Sequence, residues 1–313
     1  MDSQAEHFIS LPLVSKNEDS ARMPLVINVV VKYWGQDIPP QEAGEVGGTD
    51  GAMIHGIVRA ESSGFASYIY KSSMKDLKKR IDQGIPPIVI MPGIQATVQH
   101  AMVVSGYNSG EGRILTYIPE PDTLGAIPES KFDQDWEQDD MTVIVIIPSD
   151  MKDLLKNENL KFAKSNRICF EAEGLRQEGK ISDAIERLRK ATEIEPDNAQ
   201  AWSLLGGIYN ETNSDQALSC YERAIKLNPK YYLAYRGLGN YYLKRKDYSF
   251  AEVYYSKAIE INLSRFGPIY KNRAIARMQL GNNQGAKQDL LKYMEQMPGA
   301  EDRKSIKEAL AQL

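Results

Sequence analysis

The second half of the sequence repeats itself from about residue 165 to residue 298, with a period of about 34 residues. The segments "AWSLLGGIYN" (201–210) and "AYRGLGNYYL" (234–243) each place an aromatic residue, Leu-Gly and then Tyr at matching positions. Pro196, Pro229 and Pro298 recur at the ends of copies. Because proline cannot continue a helix, it is common just past a helix C-terminus. This period predicts helical pairs that stack into an all-α solenoid.

The repeat pattern resembles the tetratricopeptide repeat (TPR) family. The resemblance implies four units over residues 165–313, the last followed by a capping helix in "PGAEDRKSIKEALAQL". The third unit departs from the pattern, with Leu263 where proline is usual and one extra residue near Gly267. Such repeats offer a concave surface to a protein or peptide partner and supply no chemistry of their own.

Residues 1–150 mix helical and strand patterns, which predicts an α+β domain. Helices are predicted in "PLVINVVVKYWG", after "GGTDG", and in "SMKDLKKRIDQG", where Ser73 is the expected N-cap. Strands are predicted in "PPIVIM", "HAMVVSGY", "RILTYI" and "MTVIVII". The order expected from these patterns is three helices followed by a strand meander.

Several segments of this half together resemble the C39-like cysteine peptidases, which have a papain-like fold. They are "LPLVSKNEDSARMPLVINVVVKYWG", "GGTDGAMIHGIVRAESSGF", "LKKRIDQGIPPIVIM", "HAMVVSGYN", "EPDTLG" and "FDQDWEQ", in that order. The resemblance spans about residues 8–148. It implies a papain-like domain at the N-terminal end of this sequence.

When the catalytic positions of the family are mapped onto this sequence, most of them hold a different residue. The positions of the oxyanion-hole Gln, the nucleophilic Cys, the His and the Asp fall on Lys16, Arg22, His100 and Glu120. Arginine keeps its proton and cannot act as a nucleophile, so the covalent step has no starting group. We therefore expect no catalytic residue here, and a domain that is a degenerate peptidase.

Two alternatives remain open for the old cleft. It could still hold a peptide or an acidic group, or its residues could form a satisfied polar network. The rival function is a hydrolase or acyl transferase with a relocated nucleophile, for which Ser15 and Ser20 are the nearby hydroxyls. Ser20 fits better as a helix cap. A hydroxyl within hydrogen-bonding distance of His100 would favour the rival.

A second candidate site lies on the first helices of the repeat pairs, which line the groove in the TPR family. By resemblance to the dicarboxylate clamp of some TPR domains, an acidic peptide would be held by six residues. They are Arg236, Asn240, Lys271, Asn272, Arg303 and Lys307. Polar residues on a solvated groove are expected in any case, so the pattern alone does not distinguish a clamp from an ordinary surface.

Charge divides unevenly between the halves. Residues 1–150 carry a net charge of −10 and residues 151–313 carry +6, within a total of −4. The basic half lacks a concentrated Lys/Arg run, so nucleic acid is not an expected partner. The acidic half would repel an acidic ligand, which places such a ligand on the repeats.

Composition excludes several further classes of protein from what we expect. No apolar run is long enough to span a bilayer, so no membrane partner is expected. Two cysteines and three histidines make a disulfide framework, a metal site or a cofactor site unexpected, and we expect a cytoplasmic adaptor. The predicted domains are 1–150, a linker or docking helix at 151–164, and repeats with a capping helix at 165–313.

Overall fold

The computed structural model describes residues 6–14, 24–37, 53–93, 98–119, 122–263, 265 and 267–313. The chain divides into two compact units. Unit 1 comprises Met1–Met91 and Ala101–Ala201, and unit 2 comprises Pro92–His100 and Trp202–Leu313. The elements before the repeats are β1 (Glu6–Phe8), α1 (Leu25–Tyr33), α2 (Met53–Ser62), β2 (Phe65–Lys71), α3 (Met74–Asp82), β3 (Ile88–Pro92), β4 (Gln99–Asn108), β5 (Arg113–Ile118), β6 (Thr123–Pro128), α4 (Glu129–Glu137) and β7 (Thr142–Pro148).

Within the described residues, seven strands form one sheet in the order β2-β7-β3-β4-β5-β6, with β1 paired to β4. Strand β7 pairs antiparallel with β2 along its whole length and with β3, while β5 pairs antiparallel with β4 and β6. The predicted antiparallel sheet region is confirmed. Its four predicted strands correspond to β3, β4, β5 and β7.

Side chains of β7 alternate between two cores, because successive residues of a strand point to opposite faces of a sheet. Ile144 and Ile146 pack with residues of α1 and α2, whereas Val143, Val145 and Ile147 pack with residues of α3 and α4. Both faces of this strand are therefore covered by helices. That arrangement explains the uninterrupted apolar run "TVIVII".

The structure differs from the predicted order of three helices followed by strands, because β2 lies between α2 and α3. The segment "FASYIYK" has no regular apolar alternation, and Ile69 is the only one of its seven residues with an aliphatic β-branched side chain. Its strand conformation is stabilised by the ladder to β7, a partner more than 70 residues away in sequence. Sequence patterns do not report such distant pairing.

The first helical pair belongs to unit 1. Helices α5 (Ala163–Gln177) and α6 (Ile181–Ile194) pair with each other, and α5 packs on α2 and β2. The preceding segment is a short 3-10 helix at Ser149–Leu154, after which Leu155 is buried in the core of unit 1. The division at 150 and 165 therefore stays a prediction, since the contacts divide the chain near residue 201.

The remaining elements are the repeat helices α7 (Ala199–Glu211), α8 (Gln216–Leu227), α9 (Tyr232–Lys244), α10 (Tyr248–Ile261), α11 (Pro268–Gln279), α12 (Asn283–Gln296) and α13 (Arg303–Gln312). Pro229 and Pro298 each follow the last residue of a second helix by two positions, as predicted. In the capping helix α13, Ile306 is buried, and Leu310 and Leu313 pack against the same core. The helical TPR-like region is confirmed.

Candidate functional site

Three of the four positions of the supposed peptidase site lie outside the described residues, namely Lys16, Arg22 and Glu120. His100 is described and lies at the start of β4, within unit 2. Both of its ring nitrogens are buried. Burial lowers the pKa of His100; the Pro92 carbonyl partly offsets this, and the charge of Arg265 lowers the pKa further.

No serine, threonine, tyrosine or cysteine within the described ranges donates to His100. The two cysteines do not form a disulfide, and both are buried in repeat helices. Burial, followed by the charges of Glu173 and Glu195, raises the pKa of the Cys169 thiol, so this group is held in its unreactive form. The described residues therefore do not assemble a nucleophile and base.

Among the six clamp candidates, the structure brings Asn240 and Asn272 together. The Asn240 Oδ1 accepts a hydrogen bond from the Tyr255 hydroxyl at 2.7 Å, and the Asn272 Nδ2 lies 3.5 Å from the same oxygen. Arg236 lies one helical turn before Asn240 on α9 and is half-buried. These residues form a polar surface on the first helices of successive repeats.

The other three candidates have different surroundings. The Lys271 Nζ donates to Asp302 Oδ2 at 2.7 Å, and this contact lowers the pKa of Asp302. Arg303 donates to the Met294 carbonyl at 3.0 Å. Lys307 is exposed on α13. Lys271 thus has a carboxylate partner in the capping segment, while the peptide-binding role of all six residues stays a prediction.

Sequence reasoning did not single out Arg265 or Tyr232. Arg265 precedes α11 and is 1% exposed, and the carbon of its guanidinium lies 4.1 Å from the centre of the Tyr232 ring. One terminal nitrogen donates to the Val98 carbonyl at 3.2 Å. Two departures of the third repeat from the pattern, Leu263 and the extra residue near Gly267, mark this loop in the sequence.

The charge of Arg265 acts on Arg236. Burial lowers the pKa of Arg236, and the like charge of Arg265 acts in the same direction, while Tyr232, Tyr221 and Tyr255 oppose it. Burial also raises the pKa of Tyr221 and of Tyr255. The region around Arg236 is therefore positive, aromatic and poorly solvated, which strengthens any interaction with a negative group.

Two further searches of the structure concern metals and membranes. No group of three or more His, Cys, Asp or Glu side chains within the described segments could hold a metal ion. In the same segments, no helix combines the length and the apolar character needed to cross a bilayer.

The known proteins and family models that resemble this chain match its helical region. A TPR repeat family model matches residues 174–212, and a tetratricopeptide repeat model matches residues 209–262. A crystal structure of MamA protein is 26% identical, covers 43% of this chain and 74% of its own, and has a TM-score of 0.40. The Pseudomonas aeruginosa protein pilF is 20% identical, covers 47% of this chain and 66% of its own, and has a TM-score of 0.43. The comparison with curated proteins produced no match.

TM-scores below 0.5 do not establish a common overall fold. The assignment of these helices as tetratricopeptide repeats therefore depends on the two family models and on the helical pairs themselves. Repeats of this type imply a role in binding other proteins. Residues 174–262 of this chain are therefore tetratricopeptide repeats, as the sequence pattern predicted.

Proposed function

We propose that this chain is a non-catalytic adaptor that binds an acidic peptide on the concave face of its repeats. The observation that carries the proposal is the contact between Asn240 and Asn272 on the first helices of successive repeats, with the half-buried Arg236 one turn before Asn240. A half-buried guanidinium attracts a carboxylate more strongly than a fully solvated one does. Amide side chains can hydrogen bond to the peptide backbone and set its orientation.

The charge distribution supports an acidic partner. Residues 151–313 carry a net charge of +6, so the repeat half attracts negative ligands over several ångströms. Lys271 contributes less than its position suggests, because Asp302 already neutralises it. We therefore assign the larger part of the charge interaction to Arg236.

We also propose that the sheet domain is a degenerate papain-like peptidase domain that no longer cleaves peptides. Support comes from the order of sequence segments quoted above. Helix α1 precedes the other six strands of the sheet, and the residue after it is tied to the sheet by a hydrogen bond of 3.0 Å from Trp34 Nε1 to the Ile146 carbonyl. Two buried cysteines that form no disulfide fit a reducing compartment, so we place the adaptor in the cytoplasm.

The binding proposal is tested with a fluorescein-labelled eight-residue peptide that ends in four acidic residues and a free carboxylate. Arg236→Ala should weaken its affinity about fivefold, because a partly exposed charge contact contributes on the order of 1 kcal/mol. Lys271→Ala should have a smaller effect. Affinity should fall as salt is raised from 50 to 300 mM, values chosen for the titration, because salt screens the charges.

Lys304→Ala is the matched control, since Lys304 is an exposed cation of the same repeat half. It should bind the peptide as the wild type does. Circular dichroism checks that each variant is folded. If Arg236→Ala and the Arg236→Ala, Lys271→Ala double variant bind the peptide with wild-type affinity, the concave face is not the site.

A further inference from the structure

The capping segment places one of the chain's own carboxylates on a lysine of the repeats. Asp302 precedes α13, and its two carboxylate oxygens accept hydrogen bonds from Lys271 Nζ and from the Tyr293 hydroxyl, each at 2.7 Å. The Lys271 Nζ also lies 5.2 Å from the centre of the Tyr293 ring. An ammonium group and a phenol that donate to the same carboxylate form a charge-assisted binding site for that group.

This site is accessible from solvent. The side chains of Lys271 and Asp302 are 31% and 35% exposed. Hydrogen bonding from Lys271, and then from Tyr293, lowers the pKa of Asp302, so this carboxyl is ionised at pH 7. Partly exposed ion pairs contribute little free energy, because water solvates both partners when they separate. A carboxylate from outside the chain therefore competes with Asp302 for the same two donors on nearly equal terms.

Asp302 has a second acceptor role that it does not use in this structure. It is the N-cap residue of α13, and its side chain makes no capping hydrogen bond within the described C-terminal segment. Aspartate is a preferred N-cap because its carboxylate accepts from the N2 or N3 backbone amide, which here belongs to Lys304 or Ser305. Its φ of −83° and ψ of 9° are not the extended values of most capping residues. Release from Lys271 allows Asp302 to turn and cap α13, so displacement exchanges one interaction for another.

The site adjoins the polar surface to which we assign the acidic peptide. Lys271 precedes Asn272 on α11, and the Asn272 Nδ2 lies 3.5 Å from the Asn240 Oδ1 of α9. A peptide held by these two amides therefore runs beside Lys271. The net charge of +6 on residues 151–313 favours a negative group at this position.

We propose that Lys271 and Tyr293 form a carboxylate site that Asp302 occupies in the free protein and that a carboxylate of the partner peptide takes over on binding. Asp302 is then an internal competitor that lowers the affinity of the repeats for acidic ligands. That the displacing carboxylate belongs to a peptide rests on the proposed function. The occupied site itself rests on the contacts of Asp302.

Removal of the competitor tests this inference directly. Asp302→Asn in the full chain should bind the fluorescein-labelled acidic peptide about fivefold more tightly than the wild type does, because Lys271 is no longer neutralised. Asparagine is also a good N-cap, so α13 keeps a capping residue. Glu301→Gln is the matched control, because Glu301 is the exposed neighbour of Asp302 and its substitution changes the net charge equally. Equal affinities of the two variants overturn the proposal.

A double variant shows whether the gain passes through Lys271. The Lys271→Ala, Asp302→Asn protein should return to about wild-type affinity, because the freed cation is removed together with its competitor. A gain that persists in this double variant overturns the proposal. If Asp302→Asn fails to fold, Asp302→Ser provides the same test, since serine also caps helices and carries no charge.

Amide hydrogen exchange detects the displacement itself. In the ¹⁵N-labelled wild-type chain, saturation with the peptide should slow exchange of the Lys304 or the Ser305 amide, because one of them gains the Asp302 carboxylate as acceptor. Unchanged exchange at both amides while the peptide is bound overturns the proposal. The same peptide with a C-terminal amide identifies the source of the carboxylate. A gain in Asp302→Asn that persists assigns an acidic side chain, and a gain that is lost assigns the peptide C-terminus.

The outcomes separate this inference from the proposed function. If Arg236→Ala weakens peptide binding but Asp302→Asn binds no more tightly than Glu301→Gln, the proposed function stands and this inference is refuted. If the wild type does not bind but Asp302→Asn does, and Lys271→Ala removes that binding, the carboxylate site stands and the proposed function of the wild type is refuted. If no variant binds the peptide, both are refuted.

Discussion

At the scale of single residues, Arg80 is a buried charge with several polar partners. Its side chain has no exposed surface, and its nitrogens donate to Tyr70 at 3.0 Å, Gln83 at 3.0 Å, Asp76 at 2.7 Å and the carboxylate of Glu158. A buried guanidinium is tolerated when its donors are satisfied in this way. Because Glu158 follows the 3-10 helix, the interaction ties the segment after the sheet to α3.

We predict that Glu158→Gln lowers the free energy of unfolding at pH 7 by about 1–3 kcal/mol, because it removes a charged partner of a buried guanidinium. Hydrogen bonding from Arg80 lowers the pKa of Glu158 from its ordinary 4.5 to about 2 in the folded protein. A carboxyl whose folded pKa is lowered stabilises the fold above its unfolded pKa, and this contribution disappears as pH falls through the folded pKa. The difference between wild type and variant should therefore shrink between pH 4.5 and pH 2.

Urea unfolding at pH 7, 4 and 3 provides the measurement. Asp153→Asn is the control, because Asp153 and Lys156 form an exposed pair that should contribute almost nothing. A Glu158→Gln variant with wild-type stability at pH 7, or a difference that stays constant down to pH 3, would refute this account.

At the scale of elements, the repeat helices cross where glycine meets tyrosine. A Cβ added at Gly239 would lie 2.4 Å from the Tyr255 ring, and one at Gly237 would lie 2.2 Å from the Tyr221 ring. Both rings are buried, so they have little room to move. The small residues of the repeat pattern are therefore required for close helix packing.

We predict that Gly239→Ala destabilises the protein by about 1–3 kcal/mol, because overpacking of a buried aromatic ring outweighs the better helix propensity of alanine. Gly207→Ala is the matched control in α7. Its Cβ would have Tyr221 Oη as nearest atom at 3.8 Å, an ordinary contact, so propensity should stabilise the protein by up to about 1 kcal/mol. Thermal unfolding that shows the same sign for both variants would contradict the crossing argument.

At the scale of the whole molecule, an antiparallel sheet with helices on both faces and a set of TPR helices share one chain. A peptide-binding adaptor needs only the repeat helices to hold its partner. The sheet domain carries the sequence segments that resemble a peptidase, so a catalytic function would have to reside in that domain.

We predict that the full chain does not hydrolyse a panel of fluorogenic peptides under conditions in which papain does. The reason is that the resemblance places Arg22 at the nucleophile position and Lys16 at the oxyanion position, and arginine cannot attack a carbonyl. Arg22→Cys alone should not restore full activity, because Lys16 and Glu120 also differ. Turnover by the wild type that is lost in His100→Ala would instead establish the hydrolase or acyl transferase alternative.

Local patterns predicted much of the fold because the interactions concerned are close in sequence. Ser73 caps α3 as expected, with its Oγ accepting from the Asp76 backbone N–H at 3.2 Å. The capping helix buries Ile306 as its periodicity required. The surroundings of the six clamp candidates were harder to predict, since spacing along a helix identifies the face a residue occupies but not the partner of a long side chain such as Lys271.

The sequence by itself determined the helical pairs of the repeats, their proline ends and four of the strands, because each follows from periodicity within a few turns or a few strand residues. Only the tertiary structure decided that β2 is a strand, that Asp302 neutralises Lys271, and that Arg265 is buried against Tyr232. These outcomes depend on partners at least 31 residues away. Their free energy comes from burial and hydrogen bonds that exist only after the chain has folded, so no local pattern records them.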